Sequence, residues 1–264
     1  MNGGKGPDIL GVCEVENRHV LEQLIEKLNI SQRSYNISHE EMQDGRGIDV
    51  AFIYDKNKFE AKEIFSHWIV KRNSTRDLFQ VNFVSKEAGN DLVLIGNHWP
   101  ARTAGLYKSE PYRILAAETL SYWIERIQEI KGTKIPILVT GDFNDEPFNR
   151  SLMEYTLSSN SEATVKKGTN PWLFNLMWIS LANGKASYVY NGDLNMLDQC
   201  MVSKGFLQKQ STFKLKEKFA KVEMFADMTN KKEKPIKFGR KSKKNLNEKG
   251  YSDHFPISLM VTEE

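Results

Sequence analysis

An apolar run, Ile135-Pro136-Ile137-Leu138-Val139, leads almost at once into Gly141-Asp142-Phe143-Asn144-Asp145-Glu146. Asp and Asn often do no more than close a turn, because their side chains bond nearby backbone. In α/β proteins, however, the carboxyl ends of strands are where a rigid scaffold holds working side chains. Other apolar runs carry polar groups in the same way. Glu14 follows "ILGVC", His98 follows "LVLIGN", Asp198 sits inside "NMLDQCMVS", and Asp253-His254 lead into "FPISLMV". Each has a bland reading. Glu14 suits the start of the next helix, where a carboxylate meets a favourable dipole. His98 reads as a satisfied core imidazole, Asp198 as an edge-strand acid and Asp253-His254 as a turn.

Together they describe a chemistry. If these strand ends share one end of a sandwich, they assemble the carboxylates of Glu14, Asp142, Asp198 and Asp253, the amide of Asn144 and the imidazoles of His98 and His254. Gathered carboxylates repel and need a cation or protons to stay together. Hard oxygen donors select Mg²⁺, Mn²⁺ or Ca²⁺ over zinc. An imidazole near such a cation can take a proton from water, and a second can supply one to a leaving group. That set suits hydrolysis of a phosphate ester.

The elements that must hold these groups are legible as periodicities. "PDILGVCEV" reads as a strand, and "ENRHVLEQLIEKLN" as a helix with its stripe at Val20, Leu21, Leu24, Ile25 and Leu28 and with Asn17 as N-cap. "GIDVAFIYD" is a second strand, after the glycine-rich turn Asp44-Gly45-Arg46-Gly47; "LFQVNFV" and "NDLVLIGNHW" are two more. "SEPYRILAAETLSYWIERIQEI" is a long helix, with Ser109 expected as N-cap and Pro111 in its first turn. A strand, "IPILVTGD", and a short helix in "RSLMEYTLSS" follow, and then strands in "ASYVY", "NMLDQCMVS" and "PISLMVT". Mixed elements with short connections and no repeat predict one compact α/β or α+β domain over residues 1–264.

Composition narrows the class further. With 264 residues, 40% hydrophobic, the chain can fill a sizeable core. It contains no apolar run long enough for a transmembrane helix, and its first residues lack the order of a signal peptide. Cys13 and Cys200 lie in apolar runs, without zinc-site spacing or a disulfide framework, so the compartment stays open. Net charge is only +3, yet residues 214–249 carry 13 Lys/Arg against 5 Asp/Glu. Such a run is either a solvated surface or a basic loop beside a site for polyanions.

The ordered set "GVCEVEN", "GRGIDVAFIY", "NHWPAR", "GDFNDEP", "LDQCMVS" and "YSDHFPI" resembles the endonuclease/exonuclease/phosphatase superfamily, from residue 8 to about residue 260. The resemblance implies a four-layer α/β/β/α sandwich of two mixed sheets, an Mg²⁺, Mn²⁺ or Ca²⁺ cofactor, and site roles. Glu14 matches the metal-binding glutamate, and Asp253 an aspartate that holds or orients the metal site. His254 matches the histidine that activates water, with Asp198 as its orienting partner. Asp142 and Asn144 match the pair that contacts metal, nucleophile and phosphate; His98 matches a phosphate-contacting or acid histidine. Arg102 is expected to bind phosphate, because a guanidinium can bond two oxygens at once. Asp49 is a candidate to support His98 from the neighbouring strand. Asp145, Glu146 and Pro147 are expected only to turn the chain, and Trp99-Pro100 to shape a wall.

The superfamily begins with an Asn-bearing strand and a helix that have no counterpart ahead of Asp8, so the N-terminus reads as incomplete, with reduced activity as a consequence. The leading expectation is a metal-dependent phosphodiesterase acting on nucleic acid. A phosphatase or phospholipase acting on inositol phosphates or sphingomyelin-like head groups is the alternative. A non-catalytic binding protein on the same fold is a third reading.

Overall fold

The computed structural model describes residues 5–28, 32–242 and 245–264. Its elements run β1 (Ile9–Val15), α1 (Arg18–Leu28), β2 (Tyr35–His39), β3 (Asp49–Asp55), β4 (Phe59–His67), β5 (Leu78–Ser85) and β6 (Asp91–His98). These are followed by α2 (Leu106–Lys131), β7 (Ile137–Asp142), β8 (Ser158–Ser159), α3 (Glu162–Lys167), β9 (Leu173–Asn175), α4 (Trp178–Ala182), β10 (Tyr188–Tyr190), β11 (Asp193–Asn195) and β12 (Asp198–Val202). Further on, Phe213–Leu215 pairs with Val261–Glu263, and Lys221–Val222 with Ile257–Ser258.

Alternation along the strands produces layers. A seven-stranded mixed sheet has the order β4-β5-β6-β7-β12-β9-β8, and a smaller sheet the order β1-β3-β2. Val50, Phe52 and Tyr54 on one face of β3 pack against Phe79, Val81 and Phe83 of β5 and Leu92 and Leu94 of β6. Ala51 and Ile53, on the opposite face, meet Leu21 of α1. The outer face of the large sheet, at Val93, Ile95, Ile137 and Val139, is covered by Ala116, Ala117, Leu120, Ile124 and Ile127 of α2. The result is the helix–sheet–sheet–helix stack that the family resemblance implies.

The strands of the large sheet are registered so that their polar ends meet. β6 and β7 run parallel with His98 beside Asp142, and β12 runs antiparallel to β7 with Asp198 opposite Asp142. Gly141 makes that register possible. Its φ is 132°, and a Cβ there would lie 2.0 Å from the carbonyl oxygen of Asn97. Gly141→Ala is therefore expected to prevent accumulation of folded protein, read as loss of soluble yield and of a cooperative melt. A variant melting within a few degrees of wild type would refute this account of the register.

Several local expectations are corrected. α2 begins at Leu106, not at Ser109, whose hydroxyl instead donates to the carbonyl of Gly105 at 2.7 Å and accepts from Arg113. The segment expected as a short helix is one turn at Ser151–Tyr155 followed by β8. The strands β2 and β4 escaped notice because their alternation is weak. Most of β4 is half-buried or exposed at the edge of the large sheet. By contrast the Asn17 cap is present, accepting from the amide of Val20 at 3.1 Å.

One edge is open. Among the described residues β1 pairs with β3 alone, and its apolar residues stay mostly half-exposed. Across from it lies the segment from Phe255 to Val261, and Leu94, Leu138 and Cys200 form the floor of a cavity of about 1190 Å³ between them. The polar strand ends line one part of that cavity. No helix among the described residues is long and apolar enough to cross a membrane.

Candidate active site

His254 and Asp198 form the tightest pair. His254 Nδ1 donates to Asp198 Oδ2 at 2.7 Å, so in the neutral ring Nε2 is the acceptor. Asp198 is set by Ser187, a fully buried residue whose hydroxyl accepts from the amides of Leu197 and Asp198 at 3.1 Å each. His254 is held by its bridge to Tyr188 and by ring contact with it, centroids 4.6 Å apart. Burial alone lowers the affinity of this imidazole for a proton. The charges of Asp198, Asp142 and Asp253 more than reverse that and raise its pKa to about 9.

Asp142 completes the group: one ligand atom each from Asp142, Asp198 and His254 lies within 4.8 Å of the others. Burial, then the charge of Asp198, pushes the Asp142 carboxyl up to about 7. A carboxylate so short of countercharge suits a site completed by a hard cation. His98 Nε2 stands 3.6 Å from Asp142 Oδ2 and 4.0 Å from Glu14 Oε1, so Glu14 and Asp142 approach the same ring nitrogen. Glu14 reaches there from a bulge: the register of β1 shifts between Cys13 and Val15, and Glu14 has φ 60°. His98 itself is neutral, its pKa pushed down to about 3 by burial and by the charges of Arg76 and Arg46.

The loop after β7 is tied back on itself. Asn144, with φ 50°, donates its amide to Asp142 Oδ1 at 2.8 Å, and its Nδ2 donates to Asp142 Oδ2 and to the carbonyl of Trp99 at 3.1 Å each. Asp253 is paired with Lys237. Glu14, His98, Asp142, Asn144, Asp198, Asp253 and His254 thus all line one cavity, as their places at strand ends suggest.

Two expected residues do other work. Asp49 does not reach His98. It shares the face of β3 that carries Ala51 and Ile53, away from the large sheet, and accepts from the Met42 amide at 3.0 Å and contacts His39 Nε2 at 2.9 Å. The guanidinium of Arg102 is already committed, donating to Asp145 at 3.1 Å, to Asn149 at 3.0 Å and to the carbonyl of Asn144. It clamps the loop through Nε and Nη2, while Nη1, with only a 3.5 Å contact to Asn195 Oδ1, belongs to a side chain that lines the same cavity. Asp145 and Glu146 are more than turn residues. Asp145 pairs with buried Arg113 at 2.7 Å, and Glu146 accepts from the Met196 amide at 2.9 Å. Trp99 is fully buried against Phe143, in keeping with a packing role.

Sequence reasoning passed over Ser187, Lys237 and the Asp44-Arg46-Arg76 group. Asp44 and Arg46 carried a signal in their glycine-rich turn and Lys237 in the basic segment 214–249, whereas Ser187 and Arg76 carried none.

The family model for the endonuclease/exonuclease/phosphatase family matches residues 1–263. The chain belongs to the endonuclease/exonuclease/phosphatase family, whose members are hydrolases acting on phosphate esters. Comparison with curated proteins by sequence gives no match. Among solved structures, the human Nocturnin catalytic domain with bound sulfate is similar at TM-score 0.55 and 20% identity, over 79% of this chain and 72% of that one. A mannosyl-6-phosphatase of Bacteroides thetaiotaomicron is similar at TM-score 0.56 and 18% identity, over 97% and 85%. D. rerio TDP2 complexed with single-strand DNA product is similar at 0.60 and 12%, over 97% and 86%. At these identities the likeness is one of fold. Members of the family generally depend on a divalent metal, and the acidic and histidine donors described above are of the type that would hold one.

Proposed function

We propose that this chain hydrolyses phosphodiester bonds in nucleic acid, with His254 as the base that takes a proton from water. The observation that carries the reading is the Asp198–His254 contact of 2.7 Å within reach of Asp142. Glu14, Asp142 and Asp253 would hold a divalent cation, of which Mg²⁺ and Mn²⁺ are the leading candidates. Bound there, it supplies charge neutralisation of the phosphate and a place for the oxygen that develops charge. Asp198 fixes the tautomer that leaves His254 Nε2 free to accept. His98, neutral and adjacent, has an N–H to donate to a phosphate oxygen or to the leaving oxygen, and the Asn144 amide faces the same space. In the hydrolytic step the water oxygen bonds to phosphorus, its proton passes to His254, and the ester P–O bond breaks as the leaving oxygen takes a proton from His98 or from solvent.

Two features at the rim support a nucleic acid. Tyr188 and Tyr190 lie nearly parallel with centroids 6.5 Å apart, and Tyr190 is 60% exposed, a platform on which a base can stack. Lys237 stands beside Asp253 near the same opening. A second reading, hydrolysis of a sugar phosphate or another phosphorylated small molecule, draws on the basic segment. Several of its lysines are engaged by Glu162, Glu217 and Glu264 instead of forming an open track for a polymer. Lys243 and Lys244 of that segment lie outside the described residues.

A substrate panel tests both readings: single-stranded DNA, RNA, bis-p-nitrophenyl phosphate, a sugar 6-phosphate, an inositol polyphosphate and sphingomyelin, each with Mg²⁺, Mn²⁺ or EDTA. Cleavage of the polymer and the diester, abolished by EDTA and restored by Mg²⁺ or Mn²⁺, is the expected result. Turnover of the sugar phosphate alone would select the second reading. Turnover that survives EDTA would overturn the cation's role.

A further inference from the structure

The turn between β2 and β3 carries an arginine that the catalytic group does not use. Gly47 N donates to the carbonyl of Asp44 at 2.9 Å and closes the turn. The amide of Arg46 donates to Asp44 Oδ1 at 2.9 Å. Those two bonds complete the backbone of the turn without the guanidinium. Even so, Arg46 Nε donates to Asp44 Oδ1 at 3.0 Å and Nη2 lies 3.3 Å from Oδ2. Asp44 Oδ2 also accepts from Arg76 Nη1 at 2.9 Å. One buried carboxylate therefore serves two guanidiniums. Burial opposes its ionisation, yet the bonds from Arg46 and Arg76 hold it well below the usual carboxylate range.

The two arginines differ in what remains to them. Arg76, 3% exposed, is spent: its other donors reach the carbonyls of His98 at 3.0 Å and Trp99 at 2.8 Å. It fastens the end of β6 and fixes Asp44 at the same time. The Arg46 side chain is 57% exposed and lines the cavity with Glu14, His98, Asp142 and His254. Its charge acts on His98 and the charge of Glu14 acts on it, and among the described residues its side chain bonds only Asp44, through Nε and Nη2. Asp44 thus holds one edge of a guanidinium while the remaining N–H groups stay available beside the imidazoles. A fork whose rotamer is already fixed loses less entropy on binding an oxyanion than a free side chain does.

We infer that Arg46 binds the substrate's phosphate group through its free guanidinium edge, with Asp44 and Arg76 as positioning residues. This rests on the hydrolase reading above for the substrate's chemistry, but the contact itself is testable without turnover.

The probe is inorganic phosphate, titrated calorimetrically into the full chain with Mg²⁺ present. Arg46→Met is expected to weaken binding about 10- to 100-fold, the loss typical of a hydrogen bond to a charged group. Arg46→Lys should weaken it by roughly 3- to 10-fold, because a point charge replaces a fork. Asp44→Asn, which keeps the guanidinium but loosens its hold, should weaken it on the same order, roughly 3- to 10-fold. An Arg46 that merely braced the turn would move none of these affinities. In turnover assays Arg46→Met should raise KM more than it lowers kcat. Phosphate binding unchanged by Arg46→Met, or absent from the wild type at millimolar concentration, overturns the inference. Should Asp44→Asn fail to fold, the half-exposed Arg46 position still decides. Wild type that binds phosphate through Arg46 and cleaves nothing sinks the hydrolase reading and leaves the clamp standing. Cleavage with phosphate affinity indifferent to Arg46 does the reverse.

Discussion

His254→Ala should lower kcat on the preferred phosphate ester by about 10²- to 10⁴-fold, the range for loss of a positioned general base, with little change in KM. The argument is geometric. His254 is held from two sides, by Asp198 at Nδ1 and by Tyr188 across the ring, so its Nε2 has a fixed direction into the cavity. Asp198→Asn should also cost turnover, because an amide can stabilise the wrong tautomer and gives no charge to the imidazolium. It carries a second signature in the pH profile. A base must be neutral to act, so activity rises with pH as His254 loses its proton. In the metal-free chain that pKa is about 9, raised by Asp198, Asp142 and Asp253 against the effect of burial. A bound cation adds positive charge and moves the acid limb to lower pH. Removing the Asp198 charge moves the limb lower again while it reduces the plateau. A plateau reduced with the limb moved to higher pH would assign the limb to another group. A His254→Ala protein that retains full activity would remove His254 from the chemistry altogether.

The layers were legible where alternation was strong. Val50 to Tyr54 and Leu92 to Ile95 are buried on both faces, and they read as strands because nearly every residue is apolar. β4 failed the same reading because it is an edge with five exposed positions, where polar residues serve solubility and carry no period. The site was legible for a different reason: its acids and imidazoles interrupt apolar runs at the places where strands end. What the sequence withheld was direction and commitment. Asp49 lies beside the right strand, but the two-residue period of β3 turns it to the face away from His98. Arg102 sits close to the loop that carries Asn144, yet whether its donors are spent depends on Asn149, 47 residues away. Arg46 was hidden by its glycines, and its partner Arg76 lies 32 residues from Asp44. Pairings over such separations leave no periodic trace.

The same long-range commitment sets the second large effect. Asp145 is 1% exposed and receives Arg113, itself wholly buried, together with Arg102 and the hydroxyl of Ser151 at 2.5 Å. Arg113 also donates to Ser109 Oγ at 2.7 Å and to the carbonyl of Leu106 at 3.0 Å, so one carboxylate ties the start of α2 to the loop that follows β7. Replacing a buried pair with matched apolar groups is often tolerated, whereas removing one partner strands a charge in the interior. Asp145→Ala should therefore cost about 3–5 kcal/mol in urea denaturation. The double variant Asp145→Leu with Arg113→Met should recover a large part of that loss, since it leaves no uncompensated charge at the 2.7 Å contact. A loss below about 1 kcal/mol for Asp145→Ala would show the pair to be solvated and sink the argument. Activity adds an independent reading. The double variant leaves the bonds between Asn144 and Asp142 in place but releases Arg102, which ties Asp145 to the carbonyl of Asn144, and it replaces no residue that lines the cavity. If it restores stability without restoring turnover, the buried pair is present to aim the loop, and its contribution to the fold is secondary.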